Sequence, residues 1–189
     1  DRRAAEETQW VKEHVDLKRL SEITGNDVVD PYYGYTKVLW IKNHEPENWR
    51  KTAMFLPPNN YVIYKLTGEV SIDYSAAGNI GGFYDINTGT WSKEMMDAMG
   101  VPLEKMPQKF VDATQIAGRI QEDVASELGL IAGTPVIAGG VDVGAANIGI
   151  GVFQPGRYVA AIGSSMNAAL VSEKPIKGKG LIVWPYPYK

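Results

Sequence analysis

Two neighbouring apolar runs constrain the fold of this chain more than any other feature of its sequence. The first, at residues 134–140, is short and bounded by proline and glycine, as is typical of a buried strand. The second, at 143–150, is made of small apolar residues and predicts a tightly packed helix. Two further apolar runs, at 158–162 and 168–171, read as strands. Alternating strands and helices predict an α/β protein.

Asp142 lies between the first two runs and is well placed for chemistry. A carboxylate at the carboxyl end of a buried strand points into the crevice where open α/β sheets bind ligands. Glycines on both sides let a substrate approach the backbone, and the dipole of the following helix favours an ionised carboxylate beside a phosphate. Asp142 could therefore accept a proton from a hydroxyl during phosphoryl transfer. It could also simply cap the helix, and spacing alone favours that alternative.

A second segment, at residues 161–167, has the composition of a tight turn between two strands. Its glycine and two serines would expose backbone N–H groups and hydroxyls to an anion. The same residue types are common in β-turns generally, so this segment alone indicates an ordinary turn more strongly than a phosphate site.

The residues before these runs predict mainly helices with recognisable ends. A proline tolerates the first helical turn, so a short helix is expected to open around Pro46. Asp73 and Ser92 are placed to cap the helices that follow them. Gly129 is placed to end a helix over residues 122–128.

Composition excludes several classes of protein. The 189 residues carry a formal net charge of −3, which gives no electrostatic case for nucleic acid or an anionic membrane as a partner. No stretch approaches the roughly 18 apolar residues of a membrane helix. The chain has no cysteine, which excludes disulfides and thiolate chemistry, and a reducing, cytoplasmic location fits best. The two histidines, His14 and His44, are typical of exposed helical residues, and we predict no metal site.

Short motifs along essentially the whole chain resemble, in order and spacing, those of the FGGY family of carbohydrate kinases. Residues 35–44, with Lys37 and Trp40, are similar to a signature of that family. The motifs that follow in the same order are Leu66-Thr67-Gly68, Asp73-Tyr74-Ser75-Ala76, Asp85 with Trp91, Gly133-Thr134-Pro135-Val136, Gly139-Gly140-Val141-Asp142 and Gly163-Ser164-Ser165. The opening Asp1-Arg2-Arg3-Ala4 resembles the family's substrate element Trp-x-Asp-x-Arg-Ala without its tryptophan.

The resemblance implies a ribonuclease-H-like fold of the actin-like ATPase type, in two domains with a sugar deep in the cleft and ATP across it. Residues 1–153 would be the later part of the first domain, on the substrate side, and residues 154–189 the opening strands of the second, on the nucleotide side. The implied activity is phosphorylation of a hydroxyl of a small sugar or polyol, with ATP and Mg²⁺. A homodimer is compatible with the resemblance.

The family's functional residues can be carried over position by position. Asp142 matches the catalytic base. The positions that match the substrate site are Asp1, Arg3, Tyr32 and Asp142. The positions that match the hairpin at the ATP phosphates are Gly163, Ser164 and Ser165. The positions interpreted as structural are Lys37, Trp40, Asp73 and Trp91.

Two departures from the family pattern bear on ligands. Ser164 stands where the family usually has threonine, and it keeps the hydroxyl. Glycerol kinases follow the catalytic aspartate with a glutamine that contacts the polyol, whereas Val143 cannot form that hydrogen bond. A ketopentose such as xylulose is therefore preferred to glycerol.

The family's N-terminal phosphate loop and its adenosine-binding segment are not found among these 189 residues. We therefore expect residues 1–189 alone neither to bind ATP tightly nor to act as a kinase. ATP and Mg²⁺ would be bound mainly by other parts of a longer enzyme. Two alternatives stay open, a non-catalytic actin-like nucleotide switch and a sugar-binding module that would use Tyr32, Tyr33 and Tyr35 as an aromatic platform.

Overall fold

A computed structural model describes residues 1–163, 166–178 and 180–187 of the chain. Its helices are α1 (Ala5–His14), α2 (Leu17–Thr24), α3 (Gly34–His44), α4 (Pro46–Lys51), α5 (Pro58–Thr67), α6 (Tyr74–Ile80), α7 (Lys93–Ala98), α8 (Glu122–Leu128) and α9 (Asp142–Gly149), with a 3-10 turn at Leu103–Lys105. Its strands are β1 (Ile72–Asp73), β2 (Tyr84–Asp85), β3 (Thr90–Trp91), β4 (Phe110–Val111), β5 (Ile116–Arg119), β6 (Pro135–Ile137), β7 (Tyr158–Ile162) and β8 (Met166–Leu170).

The strands pair two by two between the helices. β1 runs parallel to β4, whereas β2–β3, β5–β6 and β7–β8 are antiparallel pairs. This mixture of helices and short paired strands confirms the α/β class. Each helix within the described residues is too short or too polar to cross a membrane.

The main core lies between the helices of the first 100 residues and the short pairs β1–β4 and β2–β3. Its largest fully buried side chains include Tyr33, Tyr35, Ile72, Phe83, Met96, Met99 and Met106. The Tyr35 and Phe83 rings meet edge to face with their centroids 5.7 Å apart. A smaller cluster of Ile63, Val111, Ala117 and Ala138 lies where α5 packs on β5 and β6. The first core therefore supports α3 and α6, which form part of the candidate site.

The helix ends follow the predicted local chemistry. Asp73 caps α6 by accepting a hydrogen bond from the N–H of Ala76 at 2.8 Å. Ser92 caps α7, α4 begins at Pro46, and Gly129 ends α8 with a left-handed φ of 67°. These four predictions are confirmed.

The strand expected at 134–140 is confirmed as β6, but its predicted burial is wrong. The Ile137 side chain is 57% exposed, and Pro135 is also exposed. The reason is that β6 pairs with β5 alone, and within the described residues α5 covers only one face of this ribbon. The next residue, Ala138, is only 1% exposed.

The predicted helix after Asp142 is confirmed as α9, but it is packed on one side only. Gly144 and Asn147 are buried, whereas Ala145 and Ala146 are exposed. The prediction of a tightly packed helix is therefore wrong, because small apolar residues permit close packing without requiring a neighbour on every face.

The hairpin expected at 158–171 is confirmed. β7 and β8 pair without a break, from Tyr158 opposite Leu170 to Ile162 opposite Met166. The chain then returns to the main core, where Asn26 accepts a hydrogen bond from the Val183 N–H at 2.8 Å and donates one to its carbonyl at 3.0 Å. This return places Pro187 against Gly140 and Gly144, at the start of α9.

Candidate active site

A cleft of about 690 Å³ opens between α3, the segment that enters α5, α6 and the start of α9. Its polar lining consists of Tyr32, Lys37, Asn59, Asn79 and Asp142. Its other lining residues are Gly34, Val38, Ile41, Phe55, Leu56, Pro57, Pro58, Ala76, Ile80, Met106, Gly140 and Val141. A mostly apolar wall with a few polar groups is the usual composition of a site for a small molecule.

Asp142 is the first residue of α9 and is exposed to the cleft. Val141 occupies the N-cap position and makes no side-chain cap bond, so the alternative that Asp142 is the cap residue itself is wrong. The Asp142 Oδ1 atom accepts a hydrogen bond from the Val143 N–H at 2.7 Å. Its Oδ2 atom has no hydrogen-bond partner among the described residues.

Tyr32 lies across the same cleft, in the loop that enters α3. Its side chain is 52% exposed, and its hydroxyl donates a long hydrogen bond of 3.5 Å to Asn79 Oδ1. The Lys37 ammonium holds this loop by donating to the carbonyls of Pro31 at 2.9 Å and Tyr32 at 2.5 Å. Burial lowers the pKa of Lys37. Two of the predicted substrate residues, Tyr32 and Asp142, thus line the same cleft.

Asp1 and Arg3 do not line this cleft. The two side chains pair with each other at 2.7 Å, and the Arg3 guanidinium lies 4.4 Å from the centre of the Trp40 ring. Both residues are exposed. Their role in substrate binding stays a prediction.

The predicted phosphate hairpin is described in part. Gly163 follows β7 and is exposed, whereas Ser164 and Ser165 lie outside the described residues. Their contact with ATP phosphates stays a prediction. Within the described residues, no group of three or more histidine or acidic side chains is arranged to hold a metal ion.

The aromatic platform expected of a sugar-binding module is wrong for two of its three members. Tyr33 is 2% exposed and Tyr35 is 1% exposed, so both belong to the core and Tyr32 alone lines the cleft. Burial raises the pKa of the Tyr33 hydroxyl to about 12, helped by the negative charge of nearby Asp30. These rings therefore stabilise the loop beneath Tyr32 rather than stack on a ligand.

Sequence reasoning missed the residues that hold the start of α9. Ser75, on α6, accepts a hydrogen bond from the Val141 N–H at 3.0 Å, and Asn59 donates one to Asp73 at 3.0 Å. The motif Asp73-Tyr74-Ser75-Ala76 was the available signal. It indicates a cap for α6, but nothing in the local pattern indicates a partner 66 residues away.

Comparison with known proteins gives consistent matches. A model of the FGGY family of carbohydrate kinases, N-terminal domain, matches residues 1–149. A xylulose kinase of Bacillus subtilis (strain 168) is 35% identical over 166 residues, which are 85% of this chain and 32% of that protein. A xylulose kinase of Escherichia coli (strain K12) is 33% identical over 174 residues, which are 92% of this chain and 34% of that protein.

A solved structure shares the fold. The crystal structure of xylulose kinase from Rhodospirillum rubrum matches with a TM-score of 0.91 and 24% identity, over 99% of this chain and 38% of that one. The expected ribonuclease-H-like, actin-like ATPase fold is thereby confirmed. The chain spans about a third of the length of these relatives.

Proposed function

Because this chain belongs to the FGGY family of carbohydrate kinases, we propose that it forms the substrate side of an enzyme that uses ATP to phosphorylate a hydroxyl of a small sugar or polyol. The observation that carries the proposal is the single cleft that Asp142 and Tyr32 share. A ketopentose such as xylulose is the proposed substrate, and the relatives named xylulose kinase support it.

In the proposed reaction Asp142 is the general base. The sugar hydroxyl attacks the γ-phosphorus of ATP, so that an oxygen–phosphorus bond forms and the bond to the ADP oxygen breaks. The hydroxyl proton passes to the Asp142 carboxylate, whose Oδ2 has no hydrogen-bond partner among the described residues. A base contributes by orienting the hydroxyl and by accepting its proton as the new bond forms. Support comes from the position of Asp142 at the N-terminus of α9, in the lining of the cleft that it shares with Tyr32.

The opposite wall of the cleft is proposed to orient the sugar. The Tyr32 ring and hydroxyl present an apolar face and a polar tip, and Asn79 adds an amide within 3.5 Å of that hydroxyl. Apolar neighbours such as Phe55 and Met106 would exclude water from the bound hydroxyl. Asp1 and Arg3 are proposed as further substrate contacts on the strength of the family resemblance alone.

The nucleotide side is proposed to begin with the hairpin. A boundary between residues 153 and 154 is supported by the family match, which ends at 149, and by the start of β7 at Tyr158. Gly163, Ser164 and Ser165 are proposed to meet the ATP phosphates. Mg²⁺ binds through carboxylates together with phosphates. Asp142 is the one carboxylate in the described cleft lining, so these residues do not form a magnesium site by themselves.

We expect the protein that contains this chain to transfer phosphate from ATP to a ketopentose, and residues 1–189 alone to show neither turnover nor tight ATP binding. A coupled assay for ADP against a panel of ketopentoses, aldopentoses and polyols measures the first, and calorimetry with ATP measures the second. Failure with every sugar in the panel would contradict the proposed function. A micromolar affinity of residues 1–189 for ATP would contradict the proposal that ATP is bound mainly by other parts of a longer enzyme.

Replacing Val143 with glutamine is expected to raise kcat/KM for glycerol relative to xylulose by about 10-fold, the equivalent of one added hydrogen bond of about 1.4 kcal/mol. Val143 directly follows the proposed base, and glycerol kinases carry glutamine at the matching position. The ratio of the two kcat/KM values checks the prediction. Val143→Met is the matched control, since it adds a flexible side chain without an amide. An unchanged ratio in Val143→Gln would contradict the role given to this position.

A further inference from the structure

A chain of hydrogen bonds runs from the wall of the cleft to the backbone beside Asp142. Asn59 Nδ2 donates to Asp73 Oδ2 at 3.0 Å, and the Ser75 hydroxyl donates to Asp73 Oδ1 at 2.5 Å. The Val141 N–H in turn donates to Ser75 Oγ at 3.0 Å. These hydrogen bonds therefore join α5 and α6 to the start of α9.

The central members of this chain are fully buried, which gives their hydrogen bonds a fixed direction. Asp73 and Ser75 are each 0% accessible. A hydroxyl has one proton, and here Asp73 accepts it, so the lone pairs of Ser75 Oγ are left to accept the Val141 N–H. In a site of low dielectric constant such linked hydrogen bonds strengthen one another. Ser75 is thus oriented by one partner and holds the other.

Close packing confines the same backbone from two sides. A Cβ atom built at Gly140 would lie 3.0 Å from Ser75 Oγ and 2.7 Å from Pro187 Cβ. A Cβ atom built at Gly144 would lie 2.7 Å from Pro187 Cγ. Gly140 therefore fits between Ser75 and Pro187, and Gly144 against Pro187, only because both residues lack a side chain.

We infer that Ser75 is a positioning residue for Asp142, an inference that rests on the proposed function. By holding the N–H of Val141, the N-cap of α9, Ser75 fixes the backbone from which the Asp142 carboxylate projects into the cleft. Asp73 acts one step further away, because it orients the Ser75 hydroxyl. A base works only within hydrogen-bond reach of the proton that it accepts, so a small displacement of this backbone has a large effect on rate.

The test is Ser75→Ala in the protein that contains this chain. We expect kcat to fall by about 10- to 100-fold, since a 1 Å misplacement in an active site costs about 10²-fold. The KM for the sugar should stay within about 3-fold, because Ser75 is buried and does not line the cleft. The decisive comparison is the double variant with Asp142→Asn. Once the base is gone, losing Ser75 should lower kcat no further.

Two matched variants separate positioning from folding. Ser92→Ala removes a different buried serine, which caps α7 away from the cleft. This variant should lower the thermal midpoint while kcat is unchanged. Ser75→Cys keeps the unbranched shape of the side chain, with a somewhat larger atom that hydrogen-bonds only weakly, so it should fold and still lose kcat even where Ser75→Ala does not fold. Wild-type kcat in Ser75→Cys would overturn the inference.

Three further outcomes have distinct meanings. Equal additional losses from Ser75→Ala with and without Asp142→Asn would show a general structural effect and overturn the inference. Wild-type activity in Asp142→Asn would overturn the proposed base and this inference together. A large loss in Asp142→Asn with wild-type kcat in Ser75→Ala would overturn the positioning role alone.

Discussion

Replacing Asp142 with asparagine is expected to lower kcat of the protein that contains this chain by about 10²–10⁴-fold, which is the usual contribution of a general base. Asparagine keeps the size of the side chain and one hydrogen-bond acceptor for the Val143 N–H, but it cannot take up the hydroxyl proton. The KM for the sugar should stay within about 3-fold, because the shape of the cleft is unchanged. Steady-state kinetics with a saturating sugar measures both quantities.

The matched control for this variant is Asp123→Asn. Asp123 is an exposed aspartate in the first turn of α8, outside the lining of the cleft, so the same change in charge near a helix N-terminus should leave kcat unaltered. Asparagine and aspartate serve about equally well at helix N-termini. Wild-type turnover in a folded Asp142→Asn protein would therefore leave Asp142 with a structural role.

Local patterns predicted much of this fold because they depend on neighbours in sequence. Asp73 and Ser92 cap the helices that follow them, and Gly129 ends α8, since each of these contacts lies within a few residues. The apolar runs at 158–162 and 168–171 indicated a hairpin for the same reason. Asp142 could be placed at the junction of β6 and α9 from the change in residue type alone.

The failures have a common cause in contacts that are distant in sequence. The exposure of β6 depends on which elements cover its faces, and the burial of Tyr33 and Tyr35 depends on the core residues that surround them. Neither is visible in a local pattern. The hydrogen bond between Ser75 and Val141 spans 66 residues, so the motif that contains Ser75 could be noticed while its partner could not. Of the candidate site, the sequence therefore predicted the position of the proposed base, at the start of α9, but not the hydrogen bonds that hold that backbone.

Phe83→Ala is expected to reduce the free energy of unfolding by about 3–5 kcal/mol. The Phe83 side chain is 0% exposed and meets the Tyr35 ring edge to face at 5.7 Å. The truncation loses the free energy gained by burying an aromatic ring, and the cavity that remains adds a further loss. Collapse of the surroundings is limited, because a Cβ atom built at neighbouring Gly82 would already lie 2.9 Å from Tyr35 Cδ2.

Urea denaturation of residues 1–189, followed by circular dichroism, measures this loss as a shift of the midpoint at constant slope. Ile131→Ala is the matched control, because Ile131 is 80% exposed and its truncation should change the free energy of unfolding by no more than about 0.5 kcal/mol. A loss below about 1 kcal/mol in Phe83→Ala would contradict the close packing of this core. Since Tyr35 lies in the turn of α3 that follows Tyr32, such a result would also weaken the case that a rigid core holds Tyr32 opposite Asp142.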